Sequence, residues 1–279
     1  MPRLPAAILL LLCSVAAVAA ESPQRIVSLN FCTDELLLAL VSSERIASLT
    51  WLARTDGTDS ERLLAAGLPV NYGSAEEVLA AHPDLVLAGR YTTANTRALL
   101  ARAGIEVVVV DAAQDWQAIR RVTRAVASAV GEPARGEALL AAMDATLAET
   151  AALRVTRPVR AIGWSGAAED VPGADTLFNS ILNTAGAVNL AARPVGPRGF
   201  GLEQILHARP QLLLRGTSSA GDRSLRSALA DHPVLRALPG LVIIDYPEGA
   251  WACGVPAAAD HALALARKLR ELPADSAAR

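Results

Sequence analysis

An internal repeat constrains the fold of this 279-residue chain more than any other feature. Glu76-Glu77-Val78-Leu79-Ala80-Ala81-His82-Pro83-Asp84-Leu85-Val86-Leu87-Ala88-Gly89 aligns with Glu203-Gln204-Ile205-Leu206-His207-Ala208-Arg209-Pro210-Gln211-Leu212-Leu213-Leu214-Arg215-Gly216 at a constant offset of 127 residues. Each copy reads as an acidic helix start, a helix, a proline stop and a buried strand. One unit used twice implies two similar lobes.

The flanking sequence has the same character. Residues 25–29, 46–50, 85–88 and 106–110 form short apolar runs, and helical patterns cover 33–41 and 93–103. Thr33 is a plausible N-cap, with Asp34 and Glu35 in the first turn, and Gly104 ends the second helix. This alternation predicts a parallel α/β layer. The pattern then changes. Residues 115–130 and 133–153 are alanine-rich, amphipathic and free of strand signals, with Pro133 suited to a first helical position. An unbroken helix over 133–154 would be ~33 Å long, which suits a strut better than a flexible linker. Strand signals resume at 159–164, 212–215 and 241–245, with helices near 176–185, 202–208, 225–230 and 256–270. The expected fold is α/β: two Rossmann-like α/β lobes, 21–131 and 157–272, joined by a single long α-helix over 132–156, with 273–279 a disordered tail.

Residues 1–20 read as a secretory signal peptide. Arg3 supplies the charge, an apolar stretch runs from Leu4 to Ala20, and small residues mark cleavage near Ala20. The stretch is shorter than the ~20 residues that a membrane span needs. Leu12 before Cys13 argues against lipidation. Losing Arg3 leaves 25 basic against 28 acidic residues, a formal charge of −3, with no basic run to attract nucleic acid. Cys32 and Cys253 remain, and in an oxidising compartment such a pair must be considered as a disulfide.

Taken together, these residues resemble the periplasmic binding proteins of iron-siderophore, haem and cobalamin ABC importers. The likeness rests on Arg25-Ile26-Val27-Ser28-Leu29-Asn30, on Thr33-Asp34-Glu35-Leu36-Leu37, and on the Glu-x-x-Leu-x-x-x-Pro-Asp-Leu-Val form of the repeat. It runs from about Arg25 to Leu272. It implies a ligand cleft between the lobes, a monomeric periplasmic protein, and an inner-membrane ABC permease with its ATPase as partner. The ligand would be a metal chelate or corrinoid, and no cofactor or catalysis is expected. In that family one glutamate on each lobe meets arginines of the permease. The matching residues are Glu76 and Glu203, each seven residues before its proline. Both also suit a helix N-terminus on electrostatic grounds alone.

The aromatic residues sit where such a cleft would use them. Phe31, Trp51, Tyr91, Trp164 and Tyr246 follow strands, while Tyr72, Phe200 and Trp251 precede helices. Trp116 and Phe178 read as helix packing. Strand ends line ligand crevices in α/β folds, so Phe31, Trp51, Tyr72, Tyr91, Trp164, Phe200 and Trp251 are the candidate ligand contacts. Arg54, Arg90, Arg198 and Arg215 occupy similar loops, and Arg90 and Arg215 are the candidate partners for ligand oxygens. Cys32 and Cys253 fall in loops that border the cleft in the resembled fold. Three readings stand open for them: a disulfide, thiols touching ligand, or a thiolate metal site. His82, His207, His232 and His261 lie in or at the ends of helices, a poor set for a zinc or manganese receptor. A hydrolase reading is also available. Gly163-Trp164-Ser165-Gly166-Ala167 partly imitates a nucleophile elbow, with Asp245 and His261 following in order. An elbow needs a helix at once, whereas 166–173 contains proline and glycine.

Overall fold

The computed structural model describes residues 21–55, 62, 64–164, 171–192, 201–217, 228–229, 231–247 and 251–272. The expected signal peptide, Ser165, Arg198, Phe200 and 273–279 lie outside the described residues, as does most of the helix expected at 225–230.

Two parallel sheets carry the fold. The first is ordered β3-β2-β1-β4-β5, from β1 (Ile26–Ser28), β2 (Ile46–Thr50), β3 (Val70–Asn71), β4 (Leu85–Gly89) and β5 (Glu106–Val110). The second is ordered β7-β6-β8-β9, from β6 (Val159–Trp164), β7 (Ala187–Asn189), β8 (Leu212–Thr217) and β9 (Val242–Pro247). Strand runs of unbroken apolar residues reflect helices on both faces. In β1, Ile26 packs with Leu36, Leu37 and Leu40 of α1 (Phe31–Leu40), while Val27 turns to Val78 and Leu100 on the opposite face. Those last two belong to α2 (Ala75–Ala80) and α3 (Ala94–Arg102). The two-residue β3 and three-residue β7 are too short for a period-2 signal and were not legible in the sequence.

The repeat is structural as well as sequential. His82 and Arg209 hold equivalent places before the prolines, and both adopt left-handed backbone, φ 47° and 45°. Non-glycine residues avoid this region, and the same arginine cage supports each one. Arg25 donates to the carbonyls of Ala81 and His82, and Arg160 to those of Ala208 and Arg209. The next repeat position closes each cage. Asp84 accepts from the backbone N–H of Arg25 at 3.0 Å, and Gln211 from that of Arg160 at 2.9 Å.

The expected strut is α5 (Pro133–Ala152), with Pro133 in its first turn. It does not stand alone. Beside it, antiparallel, runs α4 (Trp116–Ala129), held by the ion pairs Arg120–Asp144 and Arg124–Glu137. Ile119 of α4 packs in the core of the second sheet, while Val126 and Ala127 pack in that of the first. Gly136 lets the two helices touch, since a Cβ there would lie 2.5 Å from the Ala127 methyl. The second core is closed by α6 (Leu177–Ala185) and α9 (Ala258–Glu271) on one face, and by α7 (Leu202–Ala208) and α8 (Pro233–Arg236) on the other. Among the described residues no helix is long and apolar enough to cross a membrane.

Candidate functional site

Because all strands of the first sheet are parallel, their C-terminal ends share one edge. In spatial order this edge carries Tyr72 after β3, Trp51 after β2, Phe31 after β1, and Arg90 and Tyr91 after β4. The strand order reverses between β1 and β4, the kind of switch point where ligands bind in open α/β sheets. Trp51 and Tyr72 stack with ring centroids 6.3 Å apart and planes 20° apart. They are 44% and 73% exposed, and Tyr91 is 85% exposed. Arg90 is largely exposed and lies 3.9 Å from Asp111. Phe31 is half-buried as the first residue of α1, against the first core. The guanidinium of Arg54 donates to the carbonyl of Leu68.

The helix under this edge starts two residues earlier than expected. Asn30, not Thr33, is its N-cap, and its Oδ1 accepts from the Cys32 N–H at 3.0 Å. Thr33 instead pairs with the Ser28 hydroxyl at 2.6 Å. Asp34 is fully buried. One of its carboxyl oxygens accepts from the Thr50 N–H at 3.1 Å and the other pairs with the Thr50 hydroxyl. Burial outweighs these hydrogen bonds and pushes its pKa up to about 7.

The second sheet corrects several expectations. Trp164 does not emerge past a strand end. It is the last residue of β6 and is paired with Arg215 of β8, so its ring shares a face with Ile162 and packs under α7 and α8 at 2% exposure. Trp251 is buried too, with ring centroids 4.8 Å from Tyr246, 5.4 Å from Phe178 and 5.9 Å from His261. Arg215 is not an open ligand contact either. It lies opposite Asp245 across the β8–β9 ladder, with Nε–Oδ1 2.6 Å and Nη2–Oδ2 2.9 Å, and it also meets Asp231. The pairing raises the guanidinium pKa and holds the Asp245 carboxyl below its usual range. Both oxygens of Asp245 thus meet Arg215, and Ser165 of the hydrolase reading lies outside the described residues. His261 stacks on Trp251 beside a small cavity of about 130 Å³.

Cys32 and Cys253 are bonded, with Cα atoms 5.0 Å apart and a sequence separation of 221. The bonded pair has no thiol or thiolate to offer a ligand or metal, so the thiol and thiolate readings do not hold. Among the described residues no cluster of three or more His, Cys, Asp or Glu is arranged to hold a metal ion. Cys253 and Val255 come from the C-terminal part of the chain yet pack in the core of the first sheet. Gly254 between them lies against the crossover before α4, where a Cβ would stand 2.3 Å from the Ala113 carbonyl oxygen.

Two α/β lobes, a paired-helix strut and an aromatic strand edge define a two-lobed binding protein, not an enzyme. The sequence matches the family of periplasmic binding proteins over residues 26–241, and the chain belongs to that family. Its working compartment is accordingly the periplasm. The periplasmic haem-binding protein RhuT from Roseiflexus sp. RS-1 is similar at 26% identity and TM-score 0.71, over 89% of this chain and 98% of that one. A periplasmic haem-binding protein from Pseudomonas aeruginosa (22%, TM-score 0.72, 88% and 92% covered) shares the fold. So does the vitamin B12-binding protein BtuF of Vibrio cholerae (16%, TM-score 0.64, 90% and 98% covered). No curated protein sequence matches the chain.

Proposed function

We propose that the chain is the substrate-binding component of an ABC importer, exported by a signal peptide cleaved near Ala20, and that its substrate is haem. The observation that carries the ligand reading is the exposed edge of the first sheet, where Trp51, Tyr72 and Tyr91 offer ring faces to a planar macrocycle. The phenol oxygens of Tyr72 and Tyr91 are hard donors suited to ferric iron. Arg90 suits a propionate carboxylate. Haem is named for RhuT, which adds support. Haemin titration followed in the Soret band tests the reading. Wild type should bind, and Tyr72→Ala and Tyr91→Ala should each cost about 2 kcal/mol, roughly thirtyfold in affinity. Cyanocobalamin and a ferric siderophore run in parallel. Binding of either without haemin would redirect the ligand assignment, and unchanged haemin affinity in both alanine variants would remove the edge from the site.

Delivery to the permease is assigned to Glu76 and Glu203. Each is exposed at the second position of α2 or α7, in equivalent copies of the repeat. Charge reversal of both to lysine should abolish haem-dependent growth through this importer while leaving haemin affinity unchanged, because exposed charges of this kind act on association with the partner. Normal uptake by the double variant would sink the assignment.

A further inference from the structure

Tyr72 is an exposed ring on a fixed backbone. On one side Asn71 is 2% exposed, and its Nδ2 lies 3.0 Å from the Ser28 carbonyl, 2.9 Å from the Leu49 carbonyl and 2.9 Å from the Ser48 hydroxyl. Carbonyls only accept, so the amide can face them in one orientation alone. Its Oδ1 accepts from the Gly73 N–H at 3.1 Å. One side chain thus ties together the ends of β1, β2 and β3 and the first turn beyond them. On the other side, Glu77 Oε2 accepts from the N–H of Tyr72 at 3.1 Å and from the N–H and hydroxyl of Ser74 at 3.2 and 3.0 Å. Gly73 sits at φ +85° with open space where a Cβ would stand, so backbone handedness, not crowding, calls for glycine there.

We propose that Asn71 is a positioning residue of the binding face, which fixes the Tyr72 ring against Trp51 so that ligand meets a preformed aromatic plate. The inference rests on the reading of this edge as the ligand face. Folding alone does not require an exposed tyrosine to be held from both sides. Binding benefits, because side-chain ordering is then complete before ligand arrives.

The chain has three tyrosines, Tyr72, Tyr91 and Tyr246, so fluorine NMR of the full-length protein labelled with fluorotyrosine resolves each environment. Tyr72→Phe assigns the resonance. Asn71→Ser should move the Tyr72 signal toward that of free fluorotyrosine and leave the buried Tyr246 signal in place, without any ligand. If Asn71→Ser loses the Tyr246 signal, and with it the fold, Glu77→Ala decides. That residue is exposed, and its loss should shift Tyr72 in the same direction. A Tyr72 signal unmoved by either folded variant overturns the proposal. Haemin titration then completes a double-mutant cycle. Asn71→Ser should weaken binding about tenfold in the wild-type background and have no effect in Tyr72→Ala. An undiminished effect in Tyr72→Ala would assign Asn71 a general structural role instead. Failure of wild type to bind haemin counts against the ligand, and the fluorine result still decides the role of Asn71.

Discussion

Replacing Cys32 and Cys253 together by serine, or reducing their disulfide, should lower the unfolding free energy by about 5 kcal/mol, the chain-entropy value for so long a loop. The bond closes 221 residues of separation, most of the exported chain. It joins the first turn of α1 to a segment that otherwise belongs to the second lobe, at the point where Cys253 and Val255 enter the first core. Without it, that entry is held only by local packing and by the close contact of Gly254 with Ala113. Urea unfolding of oxidised and reduced protein, with thiols counted before and after denaturation, measures the effect. Two reactive thiols in the native oxidised protein, or coincident unfolding curves, would contradict it.

Asp34→Asn should flatten the pH dependence of stability. The Asp34 carboxyl has a pKa of about 7 in the folded protein against an ordinary value of 3.8. Between about pH 4 and pH 7 the native state therefore holds a proton that the unfolded chain has released. Stability falls as pH rises through that window, by up to ~4 kcal/mol, and is level above it. Asparagine keeps the geometry, accepting from the Thr50 N–H through Oδ1 and donating to the Thr50 hydroxyl through Nδ2, and it cannot ionise. The variant should match wild type near pH 3.5 and exceed it increasingly toward pH 7. The carboxylates whose pKa values are lowered, Glu44, Glu77, Glu137 and Asp245, act at the acid end of the range and are common to both proteins. Parallel stability curves would show that Asp34 ionises in the folded state without penalty.

The two expected results come from residues of very different legibility. Asp34 is visible in the sequence as an acidic first-turn residue, which suggests a solvated carboxylate beside a helix dipole. Only the register of β2 against α1 puts Thr50 over it and excludes water. The cysteines are visible as a pair in an exported chain, but no spacing rule says that residues 221 apart will meet.

What the sequence by itself determined is the architecture. Apolar runs of four to six residues, alternating with helical patterns, require a parallel sheet covered on both faces. The repeat requires two such sheets, and Pro133 with the alanine-rich stretch behind it requires a helix long enough to span them. These are local properties of period and composition. What tertiary structure decided is which aromatic and charged side chains face solvent. Trp51 and Trp164 both follow apolar strand runs and look alike in sequence. β2 stops at Thr50 because its neighbour β3 ends at Asn71, and Trp51 is left outside. β6 reaches Trp164 because β8 pairs with it as far as Arg215, so Trp164 stays in the ladder and takes the inner face dictated by period 2. Arg215 was lost to the site in the same way, since the β8–β9 register sets Asp245 directly opposite it. Strand length and register depend on partners distant in sequence, and they alone separate a ligand contact from a core residue.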